Sequence, residues 1–372
     1  ENLISQNDFV ILYPNNINNI EWTKKILQYS DRILILGEPK NLTEITQKEQ
    51  NTIGDYKLIN TDKYWLILNQ DKDIITPERT KHIIDIRNGI RVFHIRDNNL
   101  EDVKKIGRFI TKQTIALTLG GGGAKGFAHL GVFKALSELN IPIDIIGGTS
   151  AGAIIASQIA LGTPLEKIIE SNKAVNKLNM FKEYGFPYIS LIKSKKIEHA
   201  AKLSAQNKDI EDLWIPFFAP ATDLTNSKLI LFEKGPLWEA IRASGALPGI
   251  VLPYFKDNNI LVDGGLMNNL PVDIMKNNFG GKIISSSCSA DQSMKTTIEG
   301  IPNQAKLFFQ RLINKKKFRN DYGYIPNITD IIFKTSVVAS TSQLEKNIAM
   351  SDIFLELPTK EFGITEFNDK SM

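Results

Sequence analysis

Two short apolar stretches of the chain each run directly into a turn of small residues and then into a helical pattern. Thr114–Leu119 (TIALTL) leads into Gly120–Gly123, and Ile143–Ile146 (IDII) leads into Gly147–Gly152 (GGTSAG). A brief apolar run that ends in glycines predicts a buried strand followed by a tight turn. Strands that alternate with helices predict a mainly parallel sheet with helices packed on it. The chain is therefore expected to be an α/β protein.

The first part of the chain shows the same alternation on a smaller scale. Apolar runs at Phe9–Tyr13, Arg32–Leu36, Tyr64–Leu68 and Arg91–Ile95 predict four strands. We place a domain boundary near residue 113. It divides the chain into a small N-terminal α/β domain, residues 1–113, and a larger α/β domain, residues 114–372.

Composition bounds the function classes. The 372 residues are 42% hydrophobic and 23% charged, which is enough apolar material for a full core. A net charge of +4 is too small to predict nucleic-acid binding, although it is compatible with contact at an anionic membrane surface. A single cysteine, Cys288, and four histidines exclude a disulfide framework and predict no Cys/His metal cluster. We therefore expect a reducing, cytoplasmic location and no metal site.

Membrane and targeting signals are not visible in the sequence. No uninterrupted apolar run approaches the roughly 20 residues that a membrane-spanning helix needs. No basic segment followed by an apolar stretch indicates a secretory signal. Because the chain begins at Glu1, we expect a processed form or a piece of a longer protein.

The turn after the second apolar stretch carries a candidate nucleophile. Gly148-Thr149-Ser150-Ala151-Gly152 fits the G-x-S-x-G pattern between a predicted strand and the helix-forming run AIIASQIAL. This is the context of a nucleophile elbow, in which a serine hydroxyl is presented on a tight turn between strand and helix. The tight turn explains the small residues around Ser150, and the following helix directs its amides toward that serine.

The glycine loop after the first apolar stretch has three interpretations. Gly121, Gly123 and Gly126 formally satisfy a G-x-G-x-x-G dinucleotide loop, for which Asp144 lies near the required spacing but precedes its strand. The same run of unblocked amides also suits an oxyanion hole. A plain tight turn against the sheet is the third interpretation.

A third motif, Asp263-Gly264-Gly265, follows the strand-like Asn259–Val262. It is compatible with a hairpin turn or with a catalytic aspartate at a strand end.

The four histidines do not fall in convincing strand-end loops, so a serine–histidine triad is not supported, and a carboxylate that takes the proton directly fits better. These histidines are His82, His94, His129 and His199.

Together, the glycine loop, the G-x-S-x-G turn and the D-G-G turn resemble the patatin-like phospholipases. The resemblance covers about residues 115–274 and includes further stretches of the sequence. These stretches are Ala128–Val132, Arg242–Ser244, Pro248-Gly249 and Asn268–Pro271. The resemblance implies a three-layer α/β/α catalytic domain.

The resemblance also implies roles for the motif residues. Ser150 and Asp263 would form a catalytic dyad, and Gly121, Gly122 and Gly123 would form the oxyanion hole. The family often has arginine before Gly126, where this chain has Lys125. Lysine keeps the positive charge but lacks the planar guanidinium. The remaining motif residues would shape the site. These residues are Lys125, Gly126, Gly148, Gly152, Gly264 and Gly265.

Segments before residue 113 are similar to those that precede the catalytic domain of neuropathy target esterase-like lysophospholipases. They are Leu12-Tyr13, Glu21–Thr23, Ser30–Arg32 and Phe93–Arg96. The resemblance implies hydrolysis of acyl esters of phospholipids or lysophospholipids through an acyl-enzyme, without a metal or an organic cofactor. Alternatives are a neutral-lipid hydrolase or acyltransferase with the same dyad, and a non-catalytic lipid or nucleotide sensor.

Two segments outside the motifs have two interpretations each. The basic segment Ala305–Arg319 is predicted either to lie on an anionic membrane or to be an ordinary surface helix. The aromatic segment Phe181–Ile192 is predicted either to form a wall for the acyl chain or to be core.

Overall fold

The structure is a computed structural model of the chain. It describes residues 10–12, 20–178, 183–186, 188–288, 303, 331–332, 334–335, 338–359 and 362. The basic segment Ala305–Arg319 therefore lies outside the described residues.

The N-terminal part contains a three-stranded parallel sheet in the order β1-β2-β3. Its strands and helices are α1 (Ile20–Tyr29), β1 (Ile33–Gly37), α2 (Gln47–Ile53), β2 (Tyr64–Gln70), α3 (Thr80–Asp85), β3 (Arg91–Arg96) and α4 (Leu100–Ile110). Three of the four predicted strands are confirmed. The predicted strand at residues 9–13 is wrong for its described residues, because Val10–Leu12 pair with no strand and Ile11 is 92% exposed.

The second sheet has eight strands in the order β11-β10-β4-β5-β6-β9-β8, with β7 paired to β6. The strands from β11 to β6 are parallel, whereas β7, β8 and β9 add antiparallel pairs. The strands are β4 (Ile115–Leu119), β5 (Ile145–Gly148), β6 (Phe217–Asp223), β7 (Lys228–Phe232), β8 (Tyr254–Lys256), β9 (Asn259–Asp263), β10 (Lys282–Ser287) and β11 (Ile353–Glu356). The helices are α5 (His129–Glu138), α6 (Ala151–Ala160), α7 (Leu165–Lys177), α8 (Lys195–Ala205), α9 (Leu237–Ser244), α10 (Val272–Asn278) and α11 (Thr341–Met350).

Neighbouring residues of the central strands pack into two different cores. Leu117 and Ile146 belong to one core with residues of α5, α6, α8 and α9, whereas Ala116 and Ile145 belong to a second core with α10 and α4. Because side chains alternate between the two faces of a strand, the two cores lie on opposite faces of the sheet. The predicted three-layer α/β/α arrangement is confirmed.

Helix α4 connects the two sheets. Its Phe109 packs against Phe93 of β3 at 4.6 Å and against Trp65 of β2 at 6.3 Å between ring centroids. On the same helix, the Lys105 ammonium donates to the backbone carbonyls of His94 and Trp214. The boundary near residue 113 falls just after this helix and stays a prediction, since the packing continues across it.

The described residues show neither a candidate membrane span nor a candidate metal site. None of the helices within them combines the length and the apolar character that crossing a bilayer would need. Within the same residues, no group of three or more His, Cys, Asp or Glu side chains is arranged to hold a metal ion.

Candidate active site

Ser150 lies at the turn between β5 and α6 with a backbone conformation that L-residues rarely adopt. Its φ is 56° and its ψ is −123°, and its side chain is almost fully buried. Such strain persists only where the surroundings fix the backbone. Here the Ser150 amide donates to the Ser244 hydroxyl at 3.0 Å, and the Thr149 amide donates to the Leu119 carbonyl at 3.0 Å. A nucleophile elbow, as predicted here, is a strained strand-to-helix turn of this kind.

The glycines beside Ser150 are required by close approach of the backbone. A Cβ atom on Gly148 would lie 2.6 Å from the backbone carbon of Gly152 and 2.8 Å from the Leu119 carbonyl. A Cβ atom on Gly126 would lie 2.5 Å from the Cβ atom of Ala151. Since real Cβ atoms do not approach this closely, the elbow, β4 and the turn after the glycine loop fit together only with glycine at these positions.

Asp263 is the last residue of β9 and its carboxyl is buried against the elbow. Its Oδ1 atom accepts the Gly265 amide at 2.8 Å, and its Oδ2 atom is buried without a hydrogen-bond partner among the described residues. The Ser150 side chain is near enough to favour the ionised carboxyl, although it forms no hydrogen bond with Oδ2. Burial raises the pKa of Asp263 to about 6, although interaction with Ser150 and the Gly265 amide opposes the increase.

The D-G-G motif is not a hairpin turn. After Asp263 the chain enters a 3-10 turn, Gly264–Leu266, and then α10, so β9 has no strand partner that follows it through Gly264-Gly265. Glycine is needed here as well, because a Cβ atom on Gly265 would lie 2.7 Å from Asn269 Oδ1 and 3.0 Å from Asp263 Oδ1.

The glycine loop offers two amides rather than three. The Gly121 amide donates to the Asn269 carbonyl at 3.0 Å, so the prediction that Gly121 is an oxyanion donor needs correction. The amides of Gly122 and Gly123 donate no hydrogen bond within the described part of the chain. Gly123 has a φ of 59°, a left-handed conformation that glycine adopts without strain.

His129 holds this loop in place. Its Nε2 atom lies 2.9 Å from the Gly120 carbonyl and its Nδ1 atom lies 3.0 Å from the Ser286 hydroxyl. Burial lowers the pKa of His129 to about 4, so the neutral ring donates from Nε2 to Gly120 and accepts at Nδ1 from Ser286. Both ring nitrogens are engaged, which leaves neither for Ser150. His129 therefore has a structural role in holding the glycine loop.

The other three histidines also make no contact with the elbow. His94 is buried between the Glu211 carbonyl and Gln70, His82 lies 3.1 Å from the Thr43 carbonyl, and His199 is exposed on α8. A serine–histidine triad is therefore absent from the described residues, which include all four histidines.

The dinucleotide interpretation of the glycine loop is wrong. Asp144, the acidic residue that it requires, precedes β5 and is thus at the opposite end of the strand from the loop. Its carboxylate forms a bidentate ion pair with Arg108, with distances of 2.7 and 2.8 Å, and accepts the Ile115 amide. Asp144 therefore has a structural role at the start of the sheet.

Lys125 lies half-buried on the turn after the glycine loop, near the buried thiol of Cys288. Burial raises the pKa of Cys288 to about 12, and the charge of Lys125 opposes this increase. Cys288 packs so closely on Gly122 that a Cβ atom there would overlap its sulfur. The thiol thus helps to fix the loop.

Two residues that position the site were not assigned a role from sequence. Asn269 holds Gly121 through its backbone carbonyl, and Ser244 accepts the Ser150 amide across 94 positions of sequence. Both lie in stretches that resemble the patatin-like family, and that resemblance was the only signal in the sequence that could have pointed to them.

An apolar pocket of about 1010 Å³, including its open mouth, is lined in part by Ser150. Its walls are formed by α6, α7, α8 and α9 and by the residues after α9; they include Ile154, Ile155, Val175, Ile197, Ala201, Ile241, Leu247, Ile250 and Val251. The described residues of Phe181–Ile192 do not line it, so the prediction of an acyl-chain wall is wrong for them. Only Ile192 among these residues is buried in a core.

Residues 117–276 match the family model described as patatin-like phospholipase. This segment, 160 of the 372 residues, is similar to the patatin-like phospholipases. The resemblance predicted from the motifs is thereby confirmed, and the family match covers the glycine loop, the elbow and Asp263.

Relatives of this patatin-like chain extend the likeness beyond the matched domain. Human patatin-like phospholipase domain-containing protein 6 is 28% identical over 372 residues, covering 90% of this chain and 26% of that protein. Neuropathy target esterase sws of Drosophila melanogaster is 29% identical over 372 residues, covering 91% and 26%. Lysophospholipase NTE1 of Mycosarcoma maydis is 30% identical over 283 residues, covering 73% and 15%.

These coverages define what the relatives share with this chain. The chain spans about a quarter of the length of the first relatives. A match to 90% of the chain extends into residues 1–113, because residues 114–372 make up only about 70% of it. Among solved structures, VipD from Legionella pneumophila aligns with a TM-score of 0.33 and 16% identity over 56% of this chain and 55% of that chain, a score too low to relate the two folds.

Replacing Asp263 by Asn tests whether the buried carboxylate destabilises the fold. Since burial raises the pKa of Asp263 to about 6, above the ordinary value of about 3.9, the folded state loses up to about 3 kcal/mol as the pH rises between these values. Asp263→Asn should therefore raise the free energy of unfolding by up to about 3 kcal/mol at pH 8 and by little near pH 4. Urea unfolding at both pH values measures this difference.

Asp144→Asn is the matched control, since it removes a second buried aspartate that has an ion-pair partner. Breaking a buried ion pair costs about 3–5 kcal/mol, so this variant should be less stable at pH 8. If Asp263→Asn is destabilised by a similar amount at pH 8, the ionised carboxylate of Asp263 does not destabilise the fold, and the prediction is wrong.

Proposed function

We propose that this chain is a serine esterase that hydrolyses acyl ester bonds of phospholipids, and of lysophospholipids in preference, with Ser150 as nucleophile and Asp263 as base. One observation carries the proposal. Ser150 lies on a strained turn beside a buried aspartate whose Oδ2 atom has no partner in the described residues, and this serine lines an apolar pocket.

In the first half-reaction, the Ser150 oxygen attacks the acyl carbonyl carbon as its proton passes to Asp263. The negative charge that develops on the carbonyl oxygen is stabilised by the amides of Gly122 and Gly123, which have no acceptor among the described residues. The bond to the alcohol then breaks, and the alcohol oxygen takes the proton from Asp263. The product of this step is an acyl ester of Ser150.

In the second half-reaction, a water molecule attacks the acyl-enzyme. Asp263 accepts one proton of this water and returns it to the Ser150 oxygen as the ester bond breaks, which releases the fatty acid. The same two residues and the same amides therefore serve both steps, and no step calls for a metal or an organic cofactor.

The pocket supports a lipid acyl group as the substrate portion that enters the protein. A saturated acyl chain has no hydrogen-bonding groups, and the walls contributed by α6, α8 and α9 are chiefly aliphatic. A preference for lysophospholipids rests on a relative that is named a lysophospholipase, and a second relative named an esterase supports ester hydrolysis. We place the enzyme in a reducing, cytoplasmic environment because its one cysteine is free and buried.

Covalent labelling tests the nucleophile. A fluorophosphonate should form one adduct on Ser150, detected as a mass increase of the intact chain and located by peptide mapping. Ser150→Ala should form none, and Asp263→Asn should be labelled about 100-fold more slowly or worse, since a general base contributes at least this much. Ser157→Ala is the matched control because Ser157 is a buried serine on α6 whose hydroxyl, within the described part of the chain, bonds only the Ile154 carbonyl. Labelling of Ser150→Ala at the wild-type rate would refute the assignment.

The base should also determine the pH dependence of the reaction. The carboxyl of Asp263 must be ionised to accept a proton, and burial raises its pKa to about 6. The value of kcat/KM for a soluble ester should therefore fall by about tenfold per pH unit below pH 6 and level off above it. Stopped-rate assays from pH 4.5 to 8 measure this profile. A histidine-like profile that persists in Asp263→Asn would contradict the assignment of Asp263 as base.

The pocket can be shortened to test acyl-chain binding. Ala201 of α8 lines the pocket and is buried, so Ala201→Phe should fill part of the space that an acyl chain would occupy. Burial of each methylene of the acyl chain contributes about 0.8 kcal/mol to binding. If two or more methylenes are no longer buried, kcat/KM for a palmitoyl ester should fall about tenfold or more. Hydrolysis of a butyryl ester should change little. Leu203→Phe, on the exposed face of the same helix, is the control. An equal loss for both esters would argue against an acyl pocket at this place.

A further inference from the structure

The residues between α7 and α8 form a loop that exposes large aromatic side chains. Tyr184 is 72% exposed, Phe186 88%, Tyr188 85% and Ile189 51%. A bridge between Tyr184 and Ile192 and a bond from the Lys193 amide to the Glu183 carbonyl close the base of the loop. We call the described residues 183–186 and 188–192 the aromatic loop. Monomeric proteins rarely expose clustered aromatic side chains unless the surface binds something.

The base of the aromatic loop is attached to the wall of the acyl pocket. The Leu191 amide donates to the Gly249 carbonyl and the Ile192 amide donates to the Ile250 carbonyl, each at 3.0 Å. The Ile192 side chain packs with Leu247, Ile250 and Val251, and these three residues line the pocket. The exposed residues 184–189 are thus separated by only a few residues of sequence from Ile192, which packs on the pocket wall.

A second attachment joins the aromatic loop to the helices on either side. Glu183 forms an ion pair with Lys196 of α8 at 2.6 Å, and the Lys196 ammonium also donates to the Leu178 carbonyl just after α7. Because both helices contribute walls to the pocket, the loop is held in a fixed position relative to it.

The composition of this surface suits a lipid interface. Tyrosine combines an apolar ring with a polar hydroxyl and is enriched where hydrocarbon meets water. Beside the aromatic side chains, Lys193 and Lys195 are exposed, and neither forms an ion pair with any described residue. Exposed lysines next to inserted aromatic rings attract anionic head groups.

We propose that the aromatic loop inserts into the head-group region of a lipid bilayer and holds the mouth of the acyl pocket at the membrane surface. This inference rests on the proposed lipid substrate, because a membrane is the place where an acyl chain can pass into the pocket without crossing water. It names one partner, a bilayer that contains anionic phospholipid, and the position of the loop on the pocket wall favours it over a protein partner.

Vesicle binding by the full chain tests the proposal. The protein carries Ser150→Ala, so that binding is measured without turnover and is independent of whether the chain is an esterase. Tyr184→Ala/Phe186→Ala/Tyr188→Ala should weaken flotation with vesicles of phosphatidylcholine and phosphatidylserine by about tenfold or more, since the buried apolar area drives interfacial binding. The control Tyr29→Ala/Leu58→Ala/Ile75→Ala removes side chains that are 73%, 85% and 87% exposed in the N-terminal part, and should bind as before.

The lysines provide a second measurement. Lys193→Glu/Lys195→Glu should weaken binding to phosphatidylserine-containing vesicles by roughly fivefold for each lysine, and should leave binding to pure phosphatidylcholine unchanged. If the triple variant does not fold, Phe186→Ser alone, at the most exposed position of the loop, replaces it. Folding is checked in the Ser150-containing chain by hydrolysis of a soluble butyryl ester, which should be unaffected by the loop changes.

Two outcomes would overturn the proposal. Unchanged vesicle binding by the loop variants would exclude the loop as the membrane contact, and equal losses in the loop and control variants would show that exposed apolar area in general is responsible. Failure of the proposed esterase function is distinguishable, because it would abolish ester hydrolysis by the unaltered chain while vesicle binding remained sensitive to the loop.

Discussion

The constraint on which the site depends is the left-handed turn at Ser150. A backbone in this region costs of order 1–3 kcal/mol, and the packing around it has to hold it there. Several hydrogen bonds do so, from the Ser150 amide to Ser244, from the Thr149 amide to Leu119 and from the Thr149 hydroxyl to the Asn268 carbonyl. These partners come from α9, β4 and the turn after β9. The strained turn is therefore held by partners from the sheet, α9 and the turn after β9, so the position of the candidate nucleophile depends on the whole domain.

The same close packing determines what the glycine loop can do. Because β4 ends against Gly148 and Gly152, the loop that follows it has to pass over the elbow, where His129, Cys288 and Asn269 fix its course. Asn269 uses the Gly121 amide for this purpose. The loop thus gives up one donor to hold the other two, Gly122 and Gly123, in place beside Ser150. An oxyanion hole needs donors that do not reorganise during the reaction, and a loop fixed from three sides meets that requirement.

Much of this architecture could be predicted from the sequence, and the exceptions have a common cause. Strands such as Tyr64–Leu68 and Thr114–Leu119 are predicted because their apolar runs are continuous, as expected for strands that are buried on both faces of a sheet. Phe9–Tyr13 has the same composition, but Val10–Leu12 pair with no strand, and pairing is not encoded within five residues. The motifs located Ser150 and Asp263. The occupied amide of Gly121 and the support from Ser244 depend on contacts between residues about 100 or more positions apart, which leave no local pattern.

A buried carboxylate in place of a histidine has consequences for the proposed chemistry. A base that takes the serine proton has to return it to the leaving alcohol, and a carboxyl with an ordinary pKa near 4 holds a proton too weakly at neutral pH to accept it readily. Burial raises the pKa of Asp263 to about 6, nearer to the pH at which both transfers have to occur. The burial that destabilises the ionised residue in the resting fold is then the same property that makes it a competent base. Removing the apolar surroundings would lower that pKa, so the packing around the site and its reactivity cannot be altered separately.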